Sequence, residues 1–180
     1  MKKTSLFLAL VLSTGALFAQ KKTTTSASVN FDATTSLDEL PKAENKTAIA
    51  ALDTKTGDVA FEAQIKNFSF GNPMIQEHFN SGGWMDSDKF PTANFKGKIT
   101  NLSEVDFNKD GTYKADVEGD LTIHGVTNKV KTKVVITIAG KKISSKSDFT
   151  IKLEDYKVEG KAIAAGKVAK EPTISVAADF

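Results

Sequence analysis

From Ser28 onward the chain alternates apolar and polar residues. Between Tyr113 and Ile123, Tyr113, Ala115, Val117, Gly119, Leu121 and Ile123 fall on one face, while Lys114, Asp116, Glu118, Asp120 and Thr122 fall on the other. A period of two is that of a half-buried strand. The same pattern predicts strands in "DVAFEAQIK" (Val59, Phe61, Ala63 and Ile65 inward) and "TANFKGKI" (Ala93, Phe95, Gly97 and Ile99). It recurs in "KVKTKVVITI" (Val130, Val134, Ile136, Ile138), "KISSKSDFTIKL" (Ile143, Phe149, Ile151, Leu153) and "TISVAADF" (Ile174, Val176, Ala178, Phe180). With "SVNFDAT" and the weaker "TAIAAL" the total is about eight strands. Turn sequences such as "DTKTGD", "NKDGT", "HGVTN" and "AGKK" separate many of them, and short links make neighbours antiparallel.

Two segments interrupt the alternation. Between Ile65 and Phe68 the apolar parity flips, the mark of a bulge or a strand end. "NPMIQEHFN" then predicts a short helix, with Asn72 as N-cap, Pro73 at the first helical position, and Met74, Ile75, His78 and Phe79 at helical spacing. "EDYKVEGKAIAAGKVAKEP" is rich in Ala, Gly and Lys and fits a short helix or an irregular strand equally well.

The start of the chain follows a different rule. Lys2 and Lys3 precede an apolar run from Leu6 to Phe18, roughly 13 residues, too short for the ~20 that cross a bilayer. Residues 1–19 therefore read as a signal peptide, 20–27 as a disordered lead-in, and 28–180 as one domain. Export to the periplasm or the medium is the expectation, with no stable membrane insertion. Lysines number 24 against 22 acids, and losing Lys2 and Lys3 with the leader equalises them. Arginine is absent, which removes the side chain best suited to bidentate phosphate or base contacts and argues against nucleic acid as a partner. Cysteine is absent too, so the domain is held by packing alone, without disulfide or thiol chemistry.

About eight antiparallel strands must close into a barrel or fold into a sandwich to hide their edges. The inward positions include Ala33, Ala63, Ala93, Gly97, Ala115, Gly119, Ser145, Ser147 and Ala178. So many small residues either leave room for a ligand or sit opposite large ones in a filled core. Any cavity would be aliphatic and aromatic, with a few hydroxyls and no inward charge, which suits a long apolar chain. The segment from Ile75 to Gly97 gathers rare residues, but its chemistry is thin. His78 and His124 lack further His or Cys partners for zinc, and Asp86 and Asp88 lack a calcium-loop spacing. Glu77, His78 and Ser81 or Ser87 form no recognisable triad, and no G-x-S-x-G elbow occurs. Lys129, Lys131 and Lys133, without interleaved aromatics, read as a solvated strand face.

Two stretches resemble the YceI-like family. "FSFGNPMIQEHFNSGGWMDSDKFPTANFKGKI" matches its short Met- and His-Phe-bearing helix leading through an aromatic, an acid and Phe-Pro to a strand with Phe-x-Gly, at Phe68, Phe70, Met74, His78, Phe79, Trp84, Asp86, Phe90, Pro91 and Phe95. "GDLTIHGVTNKVK" matches its second signature from Leu121 to Thr127. Gly82-Gly83 and the short lysine-rich region after Tyr156 depart from the pattern. The resemblance implies an all-β, lipocalin-like antiparallel barrel with a short helix between strands. It also implies a periplasmic protein that binds a polyisoprenoid or other long-chain lipid without catalysis or cofactor. On that reading Phe61, Phe95, Tyr113, Ile123, Ile136 and Phe149 line the interior. Phe68, Phe70, Met74, Phe79, Trp84 and Phe90 form or close the mouth, and His78 hydrogen-bonds a head group. A structural or adhesive β-sandwich with a filled core, and an enzyme acting on a lipid-like substrate, are the alternatives.

Overall fold

The computed structural model describes residues 20–180; the signal-peptide reading falls on residues outside that range. Eight long strands form the sheet: β1 (Lys21–Asp32), β2 (Lys42–Asp53), β3 (Asp58–Gln64), β5 (Thr92–Ile99), β6 (Gly111–Ile123), β7 (Val126–Ala139), β8 (Lys142–Thr150) and β9 (Thr173–Asp179). A two-residue β4 (Ser69–Phe70) pairs with β2. Every pairing is antiparallel, and the order β1-β9-β8-β7-β6-β5-β3-β2 returns to β1 through a direct β1–β2 ladder. The sheet is therefore a closed barrel, as the resemblance implied, and not the sandwich held as an alternative.

The polar lead-in expected at 20–27 is instead the first half of β1, paired from Lys21 opposite Asp53 to Ala27 opposite Ala48. Its "KKTTTSA" lacks apolar alternation, but β-branched threonines favour extended backbone, and β2 supplies a partner. β2 also begins earlier than "TAIAAL" suggested. Here Asn45 faces inward, wholly buried, and links the elements around it. Its Nδ2 donates to the Gln64 carbonyl at 2.9 Å, and its Oδ1 accepts from the Thr47 N–H and hydroxyl at 2.8 and 2.9 Å.

At Ile65 the parity flip corresponds to a strand end followed by a 3-10 turn, Ile65–Asn67. The predicted helix forms as α1 (Pro73–Asn80), with the Asn72 side chain accepting the Met74 N–H. The second interruption holds a 3-10 turn at Leu153–Tyr156 and a four-residue helix α2 (Lys161–Ala164). β6 and β7 join through His124 and Gly125, both at positive φ (51° and 74°), the two-residue turn whose twist matches a hairpin.

The outer face carries a charge ladder. Asp116, Glu118 and Asp120 of β6 stand opposite Lys133, Lys131 and Lys129 of β7, with ion pairs of 2.9, 2.7 and 2.8 Å. On the other flank of β6, Lys98 and Lys96 of β5 stand opposite Glu118 and Asp120. The three lysines thus face acids rather than only solvent. One acidic strand between two basic ones favours this strand order. The contribution to stability is small, because exposed pairs are worth about 0–1 kcal/mol each.

Inside, two apolar clusters occupy opposite ends. One gathers Phe31, Phe68, Phe70, Phe79, Met85, Leu153 and Tyr156 beneath the long connections; the other gathers Leu52, Ile99, Val105, Val117, Ile138 and Ile143 beneath the shorter turns. Phe95 and Phe180 touch both.

Candidate functional site

Between the two clusters the barrel interior holds a cavity of about 200 Å³, taken as the space open to the centre of a water molecule. Its existence explains a pattern along the strands. Inward residues such as Phe61, Phe95, Val130, Phe149, Ile174 and Val176 are only half-buried, because they face a space rather than packed atoms. Phe61, Phe68, Phe79, Trp84, Phe95, Ile123, Ile136 and Phe149 from the sequence reading all lie on its wall.

Five residues of that reading do not. Phe70 is buried behind the wall, its ring 4.8 Å from Phe79 and 6.5 Å from Phe31. Met74 is 65% exposed and His78 is exposed as well. The geometry of α1 separates them from the interior. Ile75 and Phe79, four apart, share the packed side, whereas Met74 and His78 share the next face, about 100° round the axis. His78 meets Ser81 through its carbonyl, which accepts from the Ser81 N–H and hydroxyl. Phe90 lies under the β6–β7 turn, 4.5 Å from the His124 ring and against Gly125. His124 Nδ1 in that turn lies 3.3 Å from the Tyr156 carbonyl. Tyr113 packs in the cluster at the other end, and its hydroxyl donates to the Lys109 carbonyl at 2.9 Å.

Phe31 is the residue the sequence reading missed. It sits within 6.5 Å of Phe70, Phe79 and Trp84, so a strand residue, not the helix alone, centres the aromatic cap. Its inward parity in "SVNFDAT" was the available signal. Met85, Val29, Val130, Ile174 and Phe180 also join the wall, each from an inward or cap position. The small residues act unevenly. Gly97 and Gly119 do not open space; the ring of Phe95 fills it.

Polar groups on the wall are few. Asn94 and Lys146 line it from outward-alternating positions: Asn94 donates to Thr92 Oγ1 at 2.8 Å, and Lys146 is exposed. Inward hydroxyls come from Thr132, Ser145 and Ser147. Thr132 Oγ1 and Ser147 Oγ lie 2.8 Å apart, Ser147 also donates to the Lys133 carbonyl at 3.0 Å, and Ser145 donates to the Ala178 carbonyl at 3.4 Å. That group marks a parting of the sheet. The β7–β8 ladder stops at Val134–Ser147, and the remainder of β7, Val126 to Lys133, pairs with β6 alone. The chain after β8 returns to β7 at the Leu153–Tyr156 turn, where Asn128 Nδ2 donates to the Asp155 carbonyl at 2.8 Å.

Among the described residues Lys146 is the one titratable side chain on this lining, and it is exposed. Burial pushes the Tyr156 hydroxyl above its ordinary 10.0, and the Asp155 charge adds to the shift. Asp86 and Asp88, weighed above as metal ligands, point to different partners. Asp88 is exposed and pairs with Lys66 Nζ at 2.6 Å, while the Asp86 backbone, at φ 44°, accepts from Lys89 and Phe90. Among the described residues no three His, Cys, Asp or Glu side chains are grouped to hold a metal ion.

Comparison with known proteins bears on this arrangement. A family model described as a YceI-like domain matches residues 14–180. A UPF0312 protein from Pseudomonas fluorescens is 36% identical over 89 residues, 48% of this chain and 44% of that protein, so the match spans less than half of the relative. Among solved structures, a polyisoprenoid binding domain from Saccharophagus degradans implicated in plant cell wall breakdown superposes with a TM-score of 0.74 at 12% identity, covering 89% of this chain and 97% of that one. BcnA from Burkholderia cenocepacia gives 0.71 at 20% identity over 86% and 96%. A Campylobacter jejuni YceI protein gives 0.54 at 17% over 100% and 99%. At these identities the structural likeness speaks for the fold.

Proposed function

The chain belongs to the YceI-like family, and from that premise we propose that it is an exported, non-catalytic protein that holds a long-chain isoprenoid or other lipid inside its barrel. The observation that carries this reading is an interior space whose wall is aliphatic and aromatic apart from three hydroxyls, Asn94 and the exposed Lys146. Such a wall offers an alkyl or prenyl chain removal from water at about 0.8 kcal/mol per methylene. A tail of ~10 carbons gains about 8 kcal/mol, comparable with the about 4–15 kcal/mol lost on association. The likeness to a domain described as polyisoprenoid binding supports a branched prenyl tail. The lysine-then-apolar start of the chain supports passage to the periplasm or beyond.

Native mass spectrometry on protein purified from its host without detergent tests the proposal. The expected spectrum carries a bound lipid, released on activation. An empty barrel that stays empty after exposure to prenyl and acyl lipids would refute it.

A further inference from the structure

We infer that the barrel selects an uncharged lipid ending in a hydrogen-bond donor, an isoprenoid alcohol rather than a carboxylate or a phosphate ester, and that Thr132 and Ser147 receive that donor. The inference deepens the reading of the interior as a lipid site and rests on it.

Hydroxyl protons decide the polarity of this subsite. Thr132 and Ser147 share a 2.8 Å contact in which either is the donor, and the Lys133 carbonyl lies 3.0 Å from Ser147 Oγ and 3.5 Å from Thr132 Oγ1. If Ser147 donates to the carbonyl, Thr132 donates to Ser147; if Ser147 donates to Thr132, Thr132 donates to the carbonyl. The contacts of 2.8 and 3.0 Å favour the first arrangement over the second, which depends on the 3.5 Å contact, and in the first both protons are engaged within the protein and only lone pairs remain for a guest. Ser145, whose proton goes to the Ala178 carbonyl, likewise has only lone pairs to offer. A guest hydroxyl can donate to such a group. A carboxylate or phosphate brings further lone pairs and a charge, and the ammonium of Lys146 is on the outer face. An anion placed here would lose water without gaining a cation or a donor.

Position supports the same assignment. Thr132 and Ser147 stand where the β7–β8 ladder ends, so a polar end seated there lies at the parting of the sheet while the tail occupies the apolar space. Trp84 Nε1 has no hydrogen-bond partner among the described residues, yet it is buried beyond contact with water and so is not presented to a guest.

Delipidated full-length protein should be titrated with geranylgeraniol, its methyl ether, its monophosphate and the corresponding carboxylic acid, all at pH 7.5. The alcohol should bind tightest, about fivefold better than the ether, which keeps the acceptor but lacks the donor. The phosphate and the acid should bind at least about tenfold more weakly than the alcohol. Thr132→Val combined with Ser147→Ala should retain ether binding and bring the alcohol-to-ether ratio to about one. A phosphate or acid that equals the alcohol overturns the proposal on wild-type protein alone, and so does an alcohol preference that persists in the double variant. If none of the probes binds, the interior lipid site itself falls, an outcome separate from a wrong ranking.

Discussion

Gly97 and Gly119 are direct partners across β5 and β6, and the ring of Phe95 lies over both. A Cβ at Gly97 would stand 2.6 Å from Phe95 Cζ and 2.5 Å from the Glu118 carbonyl oxygen; one at Gly119 would stand 2.7 Å from the same ring carbon. The two missing side chains therefore make a notch that holds Phe95 flat against the barrel wall, clear of the central space.

Alanine at either glycine should lift Phe95 into the cavity. Overpacking of this kind costs about 1–3 kcal/mol, and urea titration of Gly97→Ala and Gly119→Ala should show it together with weakened lipid binding. Phe95→Ala in the Gly97→Ala background should restore binding while leaving the backbone contact with Glu118, so stability should recover only in part. Unchanged binding in both glycine variants would show that the ring has another place to go.

Asn45 is a polar residue in an apolar barrel, and removing it strands its partners. Asn45→Ala leaves the Gln64 carbonyl without its side-chain donor and the Thr47 N–H without its acceptor. The expected loss is about 1–3 kcal/mol in urea unfolding, the cost of leaving these part-buried groups unsatisfied. A change under about 0.5 kcal/mol, the scatter of ordinary surface substitutions, would mean that water reaches them.

Stability should fall at both extremes of pH for different reasons. Tyr156 has a folded pKa raised above its unfolded value, so its contribution is complete below about pH 10 and disappears as pH rises through the folded value. Asp32, held below its ordinary 3.8 by the Thr34 N–H and hydroxyl, contributes above its unfolded value and loses that contribution as pH falls through the lower folded one. Asp53, bonded by the Thr56 and Lys55 N–H groups, and Asp88, bonded by Lys66, behave alike. Urea midpoints measured across pH should show a plateau with two shoulders, and Tyr156→Phe should lose the alkaline one. A variant with the same alkaline fall would assign it elsewhere.

The single tryptophan is a natural reporter. Trp84 lines the cavity with its ring 5.4 Å from Phe79. Saturation with a prenyl lipid should shift its emission. Stoichiometric binding without a shift would place the guest toward the opposite cluster.

What the sequence disclosed depended on periodicity. Strands β3, β5, β6, β7, β8 and β9 were legible because one face is apolar and the other mostly polar or charged, and α1 because Asn72-Pro73 is a start signal independent of packing. The first half of β1 was not, since a polar strand bonded to β2 shows no alternation. Met74 and His78 lie off the cavity wall for a related reason. Helical spacing marks an apolar flank, but an eight-residue helix can present either of two adjacent faces, and only contact with Phe31, Phe68 and Phe70 fixes Phe79 as the inward one. The notch at Gly97 and Gly119 depends on register across strands, which no single strand contains.

The pairing of β1 with β9 ties Ser28–Asp32 to Thr173–Ala177. A cylinder whose seam joins segments so distant along the chain cannot be assembled from one end. Until the last strand arrives, β1 and β8 each lack a neighbour, and the interior has no enclosing wall. Chains dominated by such distant pairings fold on a timescale of milliseconds to seconds. The ligand chamber is therefore complete only once β9 closes the seam, and a chain lacking that strand would expose two unpaired edges and an apolar trough.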